Sequence, residues 1–207
     1  MATITESFNK ADSTTLGPDL TWTEIQGNLQ VVSNRVRCVS TGTGSAARAD
    51  SDLASADHYA QVAIRVNTTD GHGGGPFVRK DSSATITFYM LWIDYTPSVH
   101  RYTFYKYVSG TLTAIGATTN LGSYALGDVF KLSVSGTTLS GYQNGSLLAT
   151  RTDSSISSGT RCGLRLYAGG GTPNVADAEA DDFEAGDLAA AASLIYYQPA
   201  IAPLLVR

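Results

Sequence analysis

Residues 58–66 alternate without a break: Tyr59, Gln61, Ala63 and Arg65 fall on one side, and Ala60, Val62, Ile64 and Val66 on the other. A period of two is the mark of a strand with one face in a core. The same pattern recurs along the chain. Lys131–Ser135, Leu139–Tyr142 and Leu147–Thr150 read as three successive strands, turned at Ser135-Gly136-Thr137-Thr138 and at Asn144-Gly145. The second of these is a strong hairpin signal, because a two-residue primed turn needs positive φ at both central positions. Leu29–Val32 and Arg35–Val39 form another predicted hairpin around Ser33-Asn34. Further strands are predicted at Thr3–Phe8, Phe77–Arg79, Thr85–Ile93, His100–Val108, Leu112–Gly116 and Cys162–Leu166. Residues 9–19, 40–55 and 67–76 are rich in Gly, Ser, Asp and Thr and read as loops. No segment before Asp187 has helical periodicity. About a dozen short strands with regular turn signals predict an all-β, antiparallel two-sheet sandwich.

Composition narrows the partners. The chain has 207 residues, of which 15% are charged, and carries a formal net charge of −4. Its basic residues are scattered, with no run longer than Arg79-Lys80, which argues against nucleic acid as a partner. No apolar run approaches the roughly 20 residues that span a bilayer, so no membrane partner is expected. Residues 1–6 show neither a basic n-region nor an apolar h-region. Synthesis in the cytoplasm without a signal peptide is the expectation. Cys38 and Cys162 lack metal-ligand spacing. They read as two buried free thiols, with a cross-strand disulfide as the alternative.

A family resemblance rests on scattered positions in a fixed order. They are Phe8 with Ala11-Asp12, Leu16-Gly17 and Trp22; then Gly75 with Val78-Arg79, Tyr89, and Tyr102–Lys106 ahead of Gly110. Gly136, Tyr142–Gly145, Asp153, Gly159, Gly163 and Asp182-Phe183 complete the set. This pattern resembles the laminin-G-like, concanavalin A-like lectin jelly roll over roughly residues 3–187. The resemblance implies that the first and last strands pair, placing Ile4–Phe8 beside Asp182–Ala185. It implies no single activity, since the fold hosts lectins, glycosidases, adhesion modules and virion proteins.

The predicted domain therefore spans residues 1–187, followed by an apolar tail over 188–207. Residues 188–192 could form one or two helical turns, but Pro199 and Pro203 prevent any continuing helix. Leu194, Ile195, Tyr196, Tyr197, Ile201, Leu204 and Leu205 either fold back on their own domain or are covered by a protein partner, and the partner, in a homo-oligomer or larger assembly, is the expectation.

Candidate chemistry is sparse. Asp177, Glu179 and Asp181, spaced by two, would share a strand face. That arrangement suits a glycosidase, a Ca²⁺ site or a plain solvated face, and the solvated face is favoured because small alanines intervene. No metal or other cofactor is expected; Ca²⁺ is the one candidate. His72, among glycines, reads as a loop tip, and His58 and His100 as surface residues at strand starts. No Gly-x-Ser-x-Gly elbow is present, and no catalytic residue is expected. The aromatic residues between Tyr89 and Tyr107 serve core and cross-strand packing on at least one face; where they face outward, Trp92, Tyr95, Arg101 and Tyr105 are the candidate ligand-binding set, as rings that stack on a sugar with polar neighbours such as Asp94 to fix hydroxyls.

Two functional readings follow. One is a non-enzymatic structural protein that decorates or builds a large assembly, a phage or virus virion above all, anchored by the tail. The alternative is a carbohydrate-binding module that uses its aromatic face. An enzyme is not expected.

Overall fold

A computed structural model describes residues 3–67, 71–96, 98–169 and 175–189. The first strands are β1 (Thr3–Glu6), β2 (Trp22–Gln26), β3 (Leu29–Val32), β4 (Arg35–Cys38), β5 (Gly44–Ala49), β6 (His58–Val66), β7 (His72–Lys80) and β8 (Phe88–Tyr95). They continue with β9 (His100–Val108), β10 (Thr111–Ala114), β11 (Thr119–Asn120), β12 (Asp128–Ser135), β13 (Thr138–Gln143), β14 (Ser146–Thr152), β15 (Arg161–Tyr167) and β16 (Ala178–Asp187). A 3-10 turn, Val175–Asp177, precedes the last strand.

The strands form two antiparallel sheets packed face to face, as the alternation predicts. The first runs β14-β13-β12-β6-β16-β4-β3, with β1 also paired to β16; the second runs β10-β9-β8-β7-β15-β5-β2, with β11 on β9. The first and last strands do pair, Ile4 opposite Ala185 and Glu6 opposite Phe183. Both predicted hairpins are present, and both turns have positive φ at their two central residues, 49° and 80° at Asn144-Gly145 and 53° and 60° at Ser33-Asn34. The apolar side of β6 is fully buried, and Val62 and Ile64 meet Tyr89, Leu91, Phe104 and Leu164 in the core between the sheets. Cys38 and Cys162 are both buried as free thiols, and burial pushes both thiols above their ordinary pKa.

The structure departs from three sequence expectations. Residues 40–55 are not all loop, because Gly44–Ala49 forms β5, buried along its whole length. Residues 67–76 do not all connect, because β7 begins at His72 and runs through three glycines and Pro76. Both strands are covered on both faces, so they lack the polar–apolar alternation that marks a half-exposed strand. The third correction concerns the histidines. His72 is buried instead of sitting at a loop tip, and His58 is buried instead of lying at the surface. His100 is half-buried, stacked on Tyr124 at 3.8 Å between ring centroids, with Nε2 2.8 Å from the Val66 carbonyl.

His58 is held in one tautomer. The Ser55 carbonyl can only accept, so Nδ1 donates to it at 2.8 Å, while Nε2 accepts from the Arg79 amide at 3.0 Å. Arg79 can aim its N–H this way because a bulge sets its φ to 56°. Burial lowers the His58 pKa, and burial does the same at His72 against the opposing pull of Asp177. The unfolded imidazoles protonate near pH 6.5, so below that pH the unfolded chain binds more protons than the folded one. The stability these groups contribute is thus complete above about pH 6.5 and is lost as pH falls toward their folded-state values. Urea midpoints measured between pH 7.5 and 5 should fall with pH, and His58→Gln should make that decline shallower. An unchanged slope in the variant would exclude His58 as a source.

Candidate functional site

Strand β7 lies in the middle of the second sheet, between β8 and β15. Alternation sends Tyr89, Leu91, Leu164 and Leu166 into the core. The opposite, outward face therefore carries Gly73, Gly75 and Phe77 from β7; Gly163, Arg165 and Tyr167 from β15; Phe88, Met90, Trp92 and Asp94 from β8; and Arg101, Thr103, Tyr105 and Tyr107 from β9. This face is not an ordinary wet surface. Phe77, Phe88, Met90, Tyr107 and Ala46 are buried on it as a second apolar cluster, with Ile25, Ile86, Trp92 and Tyr105 packed against them. Phe77 and Phe88 stack with centroids 4.3 Å apart.

The glycines of β7 and its neighbours make room for large side chains to lie down. A Cβ at Gly73 would come within 2.5 Å of the Trp92 indole, and one at Gly44 within 2.8 Å of the Arg165 guanidinium carbon. Trp92 reaches from β8 and Arg165 from β15, and they meet over the side-chain-free track of β7. The guanidinium carbon stands 5.1 Å from the Trp92 ring centroid and 5.6 Å from that of Tyr107. These are cation–π distances. Arg165 Nε donates to Gln26 Oε1 at 3.3 Å. Burial lowers the Arg165 pKa, with Tyr107, Cys38 and Tyr167 pulling weakly the other way; an arginine nevertheless stays charged.

The other cations of this sheet have anionic partners. Arg101 grips Asp94 with two nitrogens at 2.7 and 3.4 Å. Arg48 faces Asp50 at 3.4 Å, and Arg161 pairs with Asp52 at 3.0 Å and Asp50 at 3.3 Å. Buried Lys80 bonds Asp81 and the Ser83 carbonyl, and the Lys80 ammonium is the main reason that Asp81 is lowered to about 2.

Of the candidates read from the sequence, Trp92, Arg101 and Tyr105 share this outward face, with Trp92 and Tyr105 half-buried. Tyr95 does not join them. It packs toward the core side, with its ring 4.9 Å from that of His100. Arg165 and Gln26 are the site residues that sequence reasoning missed. A sign of Arg165 was available, since it is the charged residue between Leu164 and Leu166 in a strand whose preceding outward position is Gly163.

Of the three spaced carboxylates, Glu179 and Asp181 share one face of β16, opposite Arg65 and Ala63 of β6, and Asp177 does not join them. Asp177 sits in the 3-10 turn with Oδ2 3.7 Å from His72 Nε2. Glu179 lies nearly buried between Arg35 and Arg65 at 3.7 and 3.8 Å. Asp181 has its pKa raised by burial and by Asp182. Among the described residues no three His, Cys, Asp or Glu side chains converge as a metal site requires. The tail residues Leu194, Ile195, Tyr196, Tyr197, Ile201, Leu204 and Leu205 lie outside the described residues.

Chemically, the outward face offers one half-exposed indole, phenols, a guanidinium and an ion pair. Flat rings suit the apolar faces of sugars, and the polar groups suit their hydroxyls. Glycosidic cleavage usually needs two carboxyl groups across the bond. On the strand positions named above the carboxylate is Asp94 alone, and Arg101 occupies it.

No protein-family model matches the chain, and no curated protein sequence does either. Solved structures do. The chain is similar to the carbohydrate-binding module CBM66 from Bacillus subtilis, at 21% identity and TM-score 0.59, over 78% of this chain and 91% of that one. It is similar to a Bacillus licheniformis β-glucanase at 14% identity and TM-score 0.62, over 91% and 99% of the two chains. A legume lectin-like domain from Entamoeba histolytica matches at 13% identity and TM-score 0.53, over 81% and 90%. The fold is thus a concanavalin A-like jelly roll.

Proposed function

We propose that this chain is a non-catalytic carbohydrate-binding domain whose ligand lies on the outward face of the second sheet. The observation that carries the reading is the meeting of Trp92 and Arg165 over the glycines of β7, with Tyr105 beside them. A half-buried indole laid flat on a sheet is preorganised, so stacking a sugar ring on it costs little side-chain entropy. The names of the structural neighbours, a carbohydrate-binding module and a lectin-like domain, support the same reading. The glucanase resemblance supports the fold but not the reaction, because a second carboxylate opposite Asp94 is missing from the named strand positions. The assembly reading depends on residues 188–207 as an anchor, and nothing in the described residues favours it.

The test is binding of the full chain to a panel of neutral and acidic polysaccharides, with Trp92→Ala and Tyr105→Ala as variants. Each variant is expected to weaken binding at least tenfold, or about 1.4 kcal/mol. A wild-type chain that binds no member of the panel, or variants that bind as well as wild type, would overturn the proposal.

A further inference from the structure

Arg165 has 9% of its surface exposed and no carboxylate partner among the described residues. That sets it apart from Arg48, Lys80, Arg101 and Arg161 on the same sheet, each of which has an aspartate within 3.4 Å. A guanidinium has five N–H donors. One is given to Gln26 Oε1, and among the described residues neither Nη nitrogen has a hydrogen-bond acceptor. Removing a cation from water without an anion is costly, and contact with two aromatic rings offsets only part of that cost. Nor does the residue point into the core, where it would be a packing error. It points onto the open face that carries Trp92 and Tyr105.

The groups around it keep it there. Gly44 leaves the space that the guanidinium fills, Gly73 lets Trp92 lie alongside it, and Gln26 fixes Nε. The planar fork is therefore held in one orientation, with its remaining donors unassigned. Two parallel N–H groups of an arginine match the two oxygens of a carboxylate or sulfate.

We propose that Arg165 is the anion subsite of this face, and that the ligand is an acidic glycan whose sugar ring stacks on the aromatic side chains while its carboxylate or sulfate is gripped by the guanidinium. This inference rests on the carbohydrate reading above. The chain's overall charge works against it non-specifically, since a net charge of −4 repels polyanions. An acidic preference would therefore have to come from a local site.

Matched pairs of probes test it: polygalacturonate against its fully methyl-esterified form, and dextran sulfate against dextran, all at 150 mM salt. The full wild-type chain is expected to bind the charged member of at least one pair ten or more times tighter than the neutral member. Preference in the first pair assigns a carboxylate, and in the second a sulfate. Arg165→Met keeps the stem over the indole and removes the charge, so it should bring the ratio of charged to neutral affinity in the responding pair down to about one. Arg165→Lys should restore the preference only in part, because an ammonium lacks the fork. The wild-type comparison needs no variant, so it stands even if Arg165→Met fails to fold. Equal affinity within both pairs, or a preference that survives Arg165→Met, would overturn the anion subsite and leave the carbohydrate reading intact. Failure to bind any of the four probes would overturn both.

Discussion

Replacing Gly163 with valine is expected to cost the fold about 4 kcal/mol or more, seen as a fall in thermal midpoint of about 8–16 °C or as loss of soluble protein. Any Cβ at this position would run into the Phe77 ring and the Ala47 carbonyl, and would lie 2.8 Å from the Arg48 Cα. Overpacking against side chains alone costs about 1–3 kcal/mol, because rotamers can give way. Here two of the three obstacles are backbone atoms of β5, and β5 pairs with β15 from Gly163 to Tyr167. Relief would require separating two central strands. Gly122 is the control, since a Cβ there meets nothing within 4 Å. Gly122→Ala should change stability by no more than about 0.5 kcal/mol. A Gly163→Val protein that melts within 2 °C of wild type would show that β15 and β5 are not packed as described.

The same glycines explain what could and could not be read from the sequence. β6, β9 and β12 have one face in the core and one facing out at least in part, so hydrophobic and polar residues alternate and the strands are visible. The hairpins at Asn144-Gly145 and Ser33-Asn34 are equally visible, because their positive φ angles restrict which residues fit. β5 and β7 fail that test. Gly-Ser-Ala-Ala-Arg-Ala and His-Gly-Gly-Gly-Pro-Phe are poor strand formers by composition. They are strands because large neighbours lie over them: Arg165 over Gly44, and Trp92 over Gly73. Small residues at such places report on the partner strand, and a single sequence does not say which strand that is.

The candidate site was half legible for a related reason. Trp92, Arg101 and Tyr105 could be grouped because they lie on adjacent paired strands, β8 and β9, joined by a short connection. Arg165 could not be grouped with them, since β15 is separated from them by 53 residues or more of sequence and by β7 in space. Tyr95 was grouped through proximity in sequence, yet parity along β8 puts it opposite Trp92. Alternation applied from Phe88 to Tyr95 would have separated them.

Asp153→Ala is expected to cost about 3 kcal/mol at neutral pH, a drop of roughly 6–12 °C in thermal midpoint. Asp153 lies just beyond β14, where the chain leaves the first sheet for β15 in the second. One carboxylate oxygen accepts from the Tyr89 hydroxyl and the Ser155 amide, both at 2.8 Å, and the other accepts from Lys106 Nζ at 2.6 Å. Tyr89 in turn accepts from the Ile156 amide at 2.9 Å. One side chain thus ties the crossover to β8 and β9. Burial works to raise the Asp153 pKa, but Lys106, Ser155 and Tyr89 overcome it and hold the group well below the ordinary carboxylate range. An aspartate in the unfolded chain titrates near 3.9. The contribution is therefore complete above about pH 4 to 5 and is lost as pH falls through the folded-state value. The stability gap between wild type and Asp153→Ala should be constant from pH 8 to 5 and should narrow below pH 4. The His58 effect follows a different course, since it begins near pH 6.5 and leaves this gap unchanged. Lys106→Met combined with Asp153→Ala should cost less than the sum of the single changes, because either one alone strands a mostly buried charge. Strict additivity, or a gap that narrows already at pH 6, would mean that Asp153 does not hold the crossover through this carboxylate.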